Sequence, residues 1–293
     1  MNASSAICNW LVIGLTCLFS FLGFSNREVE EKYIFEPRSI LAWKEYYRLL
    51  TSGFLHAGWW HLLMNMFSLY AFGPSIEFVF GSGQFLLIYF GAIAGGSLLS
   101  LYVHRHHDYR AYGASGGVCG IIFAYILLFP GASIYQLPFP IAIPAWLYAI
   151  LFIAISFFGM KDNRGGIGHD AHLGGAIVGL LVAAALQPRA ALLNWKIFLL
   201  VFSAATLLLI YLWFNPLFLP AKSFVGRKSA KRNRSDSLPT HKRKTLKVDA
   251  VLEKINKHGL DSLSNEERSL LLETSEKFQR QGQSKKPDSG LAI

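Results

Sequence analysis

Residues 113–129 read GASGGVCGIIFAYILLF, a serine set among glycines at the head of an uncharged apolar run. Gly113 ahead of Ser115 and the apolar stretch from Val118 to Phe129 predict a helix that carries the serine at its N-terminus. At such an end the first backbone N–H groups lack intrahelical partners and the dipole is positive, a setting that stabilises a developing oxyanion. A Gly-x-Ser-Gly string also serves simply to pack helices closely, so its meaning depends on what surrounds it.

What surrounds it is more apolar sequence. Seven runs recur along the chain: Ile7 to Phe24, Trp60 to Phe80, Phe85 to Val103, Gly113 to Phe129, Ile143 to Met160, Ala171 to Gln187 and Trp195 to Phe214. Each approaches the ~20 residues a helix needs to cross the hydrocarbon core. Lipid offers no partner for backbone N–H and C=O groups, and the alternation of a β-barrel is absent, so the runs are expected to be helices. Composition agrees: 53% hydrophobic against 16% charged residues, with a mean hydropathy of +0.35, excludes an ordinary soluble domain. The expected class is an all-α polytopic membrane protein. Residues 1–6 hold no Lys or Arg and no small-x-small site follows Phe24, so the first run reads as a retained helix. Cys8, Cys17 and Cys119 lie inside apolar runs and form neither a disulfide framework nor a metal pair.

Between the first two runs, Ser25 to Trp59 is too polar to span and is expected to fold at the membrane surface. From Ala221 onward the chain changes character, with 17 basic and 9 acidic residues giving +8 of the total +10. Residues 221–247 read as a solvated basic linker or, alternatively, as a segment drawn to anionic lipid headgroups; nothing in them supports nucleic-acid binding. Residues 248–293 regain a helical period, with Val251, Leu252 and Ile255 on one side, a stop at Gly259, and Ser264-x-x-Glu267 as a capping box before Leu270, Leu271 and Leu272. A small helical hairpin is expected there.

Polar side chains are costly in hydrocarbon, which singles out His61, Asn65, Ser115 and His172. His61 and Asn65 lie one turn apart and share a helix face, suited either to interhelical hydrogen bonding or to chemistry. His172 stands in Ala171-His172-Leu173-Gly174-Gly175, at the head of the sixth run. Two crossings separate the fourth run from the sixth, so both start at the same membrane face and Ser115 and His172 share a depth. Gly116 with Gly120, and Gly175 with Gly179, are small-xxx-small pairs that let two backbones approach. Close approach is what a serine–imidazole hydrogen bond of ~2.6 to 3.2 Å requires. Neutral histidine can take the serine proton near physiological pH, which activates an otherwise poor nucleophile. Asp170, next but one to His172, points elsewhere on a helix, and Asp162 sits in a polar loop, so a dyad is expected rather than a triad. His61, Asn65 and the Ser115 N–H would then donate to the oxyanion. A metal protease is suggested by His169-x-x-His172 and by His56 near His61, but HExxH and an acidic third ligand are missing, so no metal and no other cofactor is expected. A transporter would show two halves with corresponding interrupted helices, which this chain does not.

Taken together, these elements resemble the rhomboid intramembrane proteases. The resemblance runs from Trp43 to Gln187 through Tyr47-Arg48, His56, His61-xxx-Asn65, Phe72-Gly73 with Glu77, Gly113-Ala114-Ser115-Gly116 and Ala171-His172-Leu173-Gly174-Gly175. It implies a Ser115–His172 dyad, His61 and Asn65 at the oxyanion hole, and Gly113, Gly116, His56 and Arg48 in support. It implies cleavage of transmembrane protein substrates without a metal, in a multi-pass protein of a bacterial inner membrane. The domains expected are 1–42, the first helix and the start of the loop; 43–190, the catalytic part of a six-helix core; 191–220, a seventh transmembrane helix; 221–247, the basic linker; and 248–293, the appendage. The family's loop Trp-Arg is Tyr47-Arg48 here, which keeps an aromatic body and a cation. Cys119 stands where the family often has an aromatic on the catalytic histidine; cysteine cannot stack, so another ring is needed to fill the gap. The alternative within the family is a catalytically weak or inactive protein that binds transmembrane clients. The family topology puts the active-site loops outside, whereas Arg27, Lys32, Arg38, Lys44, Arg48, Arg105, Arg110, Lys161 and Arg164 would place that side in the cytoplasm by the positive-inside rule.

Overall fold

The structure is a computed structural model. It describes residues 6–106, 108–136, 141–161 and 168–214, and in the C-terminal part 248, 251, 254–255, 263–264, 266–269 and 271. Among the described residues, five helices are long and apolar enough to cross a membrane: α1 (Ile7–Ser25), α5 (Trp59–Phe80), α6 (Ser82–His104), α9 (His169–Leu186) and α11 (Trp195–Phe214). Two shorter apolar helices, α7 (Ser115–Leu128) and α8 (Ala145–Lys161), join them, so each of the seven apolar runs coincides with a helix. The chain is therefore an integral, multi-pass membrane protein. It is not purely helical: β1 (Ser133–Gln136) and β2 (Ile141–Pro144) pair antiparallel between α7 and α8, with Ile134 opposite Ile143. The fold remains mostly helical around this short hairpin, which moves the start of the fifth apolar helix from Ile143 to Ala145. Pro144 has no N–H to give a helix, and the residues before it have found strand partners instead.

At the centre of the fold, α6, α7 and α9 touch backbone to backbone. A Cβ added to Gly96 would stand 2.5 Å from the Ala171 carbonyl oxygen, and one on Gly174 would stand 2.8 Å from that of Gly95. Gly175 faces the Gly116 backbone and Gly179 that of Gly120 with no room for a methyl group. Lipid tails are as apolar as leucine, so the hydrophobic effect does not draw these helices together; packing of small residues does. The two small-xxx-small pairs read from the sequence are thus each other's partners. α7 is the most enclosed of the three, buried at 11 of its 14 residues. At 1.5 Å per residue its 14 residues rise ~21 Å, short of a ~30 Å hydrocarbon core.

α1 lacks a side-chain cap of its own. The Glu77 carboxylate, 2% exposed on α5, accepts instead from the backbone N–H groups of Cys8 at 3.0 Å and Asn9 at 2.7 Å, and from the Ser82 hydroxyl at 2.6 Å. An anion at a helix N-terminus, hydrogen-bonded to N–H groups that have no other partner, is a stabilised buried charge.

The connection between α1 and α5 folds into α2 (Arg27–Tyr33), α3 (Pro37–Trp43), α4 (Arg48–Thr51) and a 3-10 turn at Ser52–Phe54. Asn26 caps α2 by accepting from Glu28 N, and Pro37 opens α3 where its missing N–H costs nothing. Arg48 is 4% exposed and holds this loop together, donating to the Glu31 and Ile34 carbonyls at 2.9 and 2.7 Å and to Glu45 at 2.6 Å. Tyr47 lies under its guanidinium at 5.7 Å. Arg110, from the segment between α6 and α7, pairs with Glu31 of this loop.

α10 (Pro188–Leu193) and Asn194 lead into α11, with the Asn194 amide donating to Leu127 O at the end of α7. α11 then returns to the opposite end of the bundle, where Trp213 stacks on Tyr102 of α6 at 6.2 Å. Residues 225–293 form a second compact unit. Within it Ser264 and Glu267 make the reciprocal cap, Glu267 Oε2 accepting from Ser264 N at 2.8 Å and Ser264 Oγ accepting from Glu267 N at 3.3 Å. Lys254 pairs with Glu267, and Val251 and Leu263 are buried. The anticipated Leu252, Gly259, Leu270 and Leu272, and all of the basic linker, lie outside the described residues.

Candidate active site

Ser115 is the first residue of α7, and Gly113 just before it has φ of 129°, a backbone conformation that an L side chain rarely adopts. Space forbids a side chain there as well. A Cβ on Gly113 would lie 2.8 Å from His61 Nε2 and 3.5 Å from Ser115 Oγ, so the imidazole of α5 and the serine hydroxyl converge on one small volume. Glycine at 113 leaves that volume open.

His172 sits in the first turn of α9. Its neighbours are in direct contact with those of Ser115: a Cβ on Gly116 would be 3.4 Å from the Ala171 carbonyl oxygen, and Gly175 abuts Gly116. The two helices start at the same end of the bundle and touch at the residues flanking Ser115 and His172. Both side chains are half-buried. The ring of His172 lies 6.2 Å from that of Phe152 on α8 and 6.0 Å from that of His169. His169 packs over Gly159, where a Cβ would meet its ring at 2.6 Å. Among the described residues no three His, Cys, Asp or Glu side chains gather as a metal site.

His56 anchors the segment before the serine. The Ser20 hydroxyl donates to Phe54 O at 2.9 Å, which leaves its oxygen to accept from His56 Nδ1 at 2.8 Å. His56 Nε2 is then the acceptor for the Ala114 N–H at 3.4 Å. This chain of bonds assigns the neutral Nδ1–H tautomer. Burial, and secondarily the neighbouring His61, lowers the His56 pKa to about 3, so the ring stays neutral in that role. Gly113 N also donates to Ser52 O at 3.1 Å, fixing the same segment a second time.

Asn65, expected as an oxyanion donor, lies on α5 one turn from His61. Its Nδ2 donates to His61 O at 2.8 Å, within its own helix. Asp170 faces away from His172, as its helical position predicts, and meets His104. Cys119 is 5% exposed and fills the interior of the α7 packing, while Phe152 supplies the ring beside His172.

Sequence reading did not find Phe152, Ser20 or His104. Phe152 is one of 23 phenylalanines and nothing in its own run marks it. Ser20 and His104 did carry a signal, as polar residues in or at the end of apolar runs.

Comparison with known proteins matches residues 43–189 to the Rhomboid domain and residues 240–277 to a family of unknown function (DUF6576). The chain is 35% identical over 182 residues to Rhomboid protease GluP of Bacillus subtilis, covering 60% of this chain and 34% of that protein. It is 33% identical over 137 residues to Rhomboid protein 1, mitochondrial, of Saccharomyces cerevisiae, covering 45% and 40%. It is 34% identical over 158 residues to RHOMBOID-like protein 12, mitochondrial, of Arabidopsis thaliana, covering 47% and 46%. In each case the chain spans less than half the length of the relative. With the domain match extending over half of its residues, on a helical core that pairs the glycines beside Ser115 with those beside His172, this chain belongs to the rhomboid family.

Proposed function

We propose that this protein is an intramembrane serine endopeptidase that cleaves transmembrane protein substrates through a Ser115–His172 dyad. The observation that supports it most is the backbone contact of Gly116 with Ala171 and Gly175, which sets the first turns of α7 and α9 side by side. The His172 imidazole takes the Ser115 proton as Oγ attacks the substrate carbonyl carbon. The oxyanion so formed accepts from the Ser115 N–H at the head of α7, from His61 and from an N–H of the Asn65 amide. The imidazolium then gives its proton to the leaving amine nitrogen as the C–N bond breaks. Water, deprotonated by His172, hydrolyses the acyl-serine and restores the enzyme.

The shortness of α7 supports this reading, since a helix that spans less than the hydrocarbon thickness starts its chemistry below the membrane surface. The substrates expected are helices whose small or flexible residues unwind there. We place the protein in a bacterial inner membrane and assign the basic 221–247 segment an affinity for anionic lipid headgroups.

The test is cleavage of a transmembrane reporter by detergent-purified protein, comparing wild type with Ser115→Ala, His172→Ala and the double variant. A dyad acting as a unit loses activity to a similar floor in all three. A folded wild type that cleaves no reporter would replace this reading with that of a client-binding family member, and cleavage that survives Ser115→Ala would remove Ser115 as the nucleophile.

A further inference from the structure

A second polar cluster lies buried where α6 ends and α9 begins. His104, the last residue of α6, is 6% exposed, and Asp170 in the first turn of α9 is 3% exposed. Their side chains meet with Nε2 3.3 Å from Oδ2. Tyr109, from the loop that leads to Ser115, lies flat on the His104 ring, the centroids 3.6 Å apart and the planes within 7°. Its hydroxyl and the Asp170 carboxylate both lie beside Gly168; burial first, and then that carboxylate, push its pKa well above the ordinary value, so it stays protonated. Phe35 packs edge-on to Tyr109 at 6.2 Å, and its backbone exchanges two 3.1 Å hydrogen bonds with Ala111.

The cluster therefore grips two things at once. One is the first turn of α9, two residues before His172. The other is the 108–114 segment that delivers Ser115. Residues two apart on a helix point to nearly opposite sides, so Asp170 acts on His172 through the backbone and not by contact. A buried carboxylate is costly unless polar groups lie against it, which ties the placement of the α9 start to His104 and Tyr109.

We propose that His104, Tyr109 and Asp170 are positioning residues, a single buried anchor that registers the first turn of α9 against the segment carrying Ser115. The proposal rests on the reading of Ser115 and His172 as the reacting pair. A misplacement of ~1 Å between reacting groups costs on the order of 10²-fold in rate, so an anchor of this kind acts on turnover and leaves substrate binding alone.

The experiment uses the full chain in detergent and compares wild type, His104→Ala, His104→Gln and Tyr109→Phe. It reads kcat and KM on the transmembrane reporter, and hydrogen exchange of the 108–114 and 169–173 segments. His104→Ala is expected to lower kcat by ~10- to 100-fold with KM changed by less than about threefold, and to speed exchange in both segments together. His104→Gln, which keeps a side-chain N–H to meet Asp170, is expected to recover most of kcat. Tyr109→Phe keeps the stacked ring, loses the hydroxyl beside Asp170 and falls between them. A folded His104→Ala with wild-type kcat or unchanged exchange in either segment would overturn the proposal. So would a kcat loss that His104→Gln leaves unrepaired. If wild type itself shows no Ser115-dependent cleavage, the catalytic reading fails, while the exchange of the two segments still decides whether the anchor exists.

Discussion

Phe152 of α8 presents its ring to His172 of α9, the centroids 6.2 Å apart and the planes inclined at 31°. Phe152 is itself held by Phe123 of α7 at 5.4 Å and by Tyr148, one turn earlier, at 6.0 Å. Cys119 lies one turn before Phe123 and one turn after Ser115, at the position where an aromatic was expected. The ring beside the imidazole comes from a neighbouring helix instead, and the small cysteine leaves room for α8 to bring it.

Phe152→Ala is accordingly expected to slow reporter cleavage by ~10-fold or more through looser imidazole placement, with little change in KM. Phe152→Tyr, which keeps the ring, is expected to stay near wild type. Steady-state kinetics of the two variants measures this, and an unimpaired Phe152→Ala would remove the ring from the mechanism.

Asn65 offers a sharper test of the oxyanion hole. One N–H of its amide is given to the His61 carbonyl in this structure, so it contributes to turnover through its second N–H or by reorienting. If it does, Asn65→Ala lowers kcat by ~10² or more, the usual cost of one oxyanion donor. A loss of less than about threefold in kcat would mean that the amide stays on its own helix throughout, leaving His61 and the Ser115 N–H as the donors.

The Ser20–His56–Ala114 chain carries a pH dependence. His56 is neutral in the folded state, with a pKa lowered from 6.5 to about 3, so between those values the unfolded chain binds the extra proton. Stability is therefore complete above pH 6.5 and declines as pH falls from there toward 3. His56→Gln, with no proton to gain, is expected to flatten part of that decline in thermal unfolding measured from pH 7 down to ~4. A slope identical to that of wild type would show that His56 does not contribute to it.

Glu77 is expected to matter for stability and not for chemistry. Glu77→Ala leaves the N–H groups of Cys8 and Asn9 without their acceptor in a buried setting, at a cost of roughly 1 to 3 kcal/mol. Unfolding in detergent should shift accordingly while Ser115-dependent kcat in the folded fraction is retained. An unchanged midpoint would mean that α1 finds another cap.

The sequence by itself determined the membrane class, the placement of seven apolar helices, and the residues for which a helix interior is costly, because burial in lipid leaves so few tolerated polar side chains that each one is conspicuous. It also determined the α7–α9 contact, since paired glycines four residues apart announce a close crossing. What only the tertiary structure decided are the relationships between elements distant in the chain: Glu77 capping α1, Ser20 fixing the His56 tautomer, Asn65 turned onto its own helix, Phe152 in the gap beside Cys119, and His104 joined to Asp170. Hydropathy and spacing report which face of a helix is apolar, and that pattern is nearly uniform around a membrane helix. The partner each side chain meets is set by helix rotation and crossing, which depend on the shapes of all the surfaces packed together.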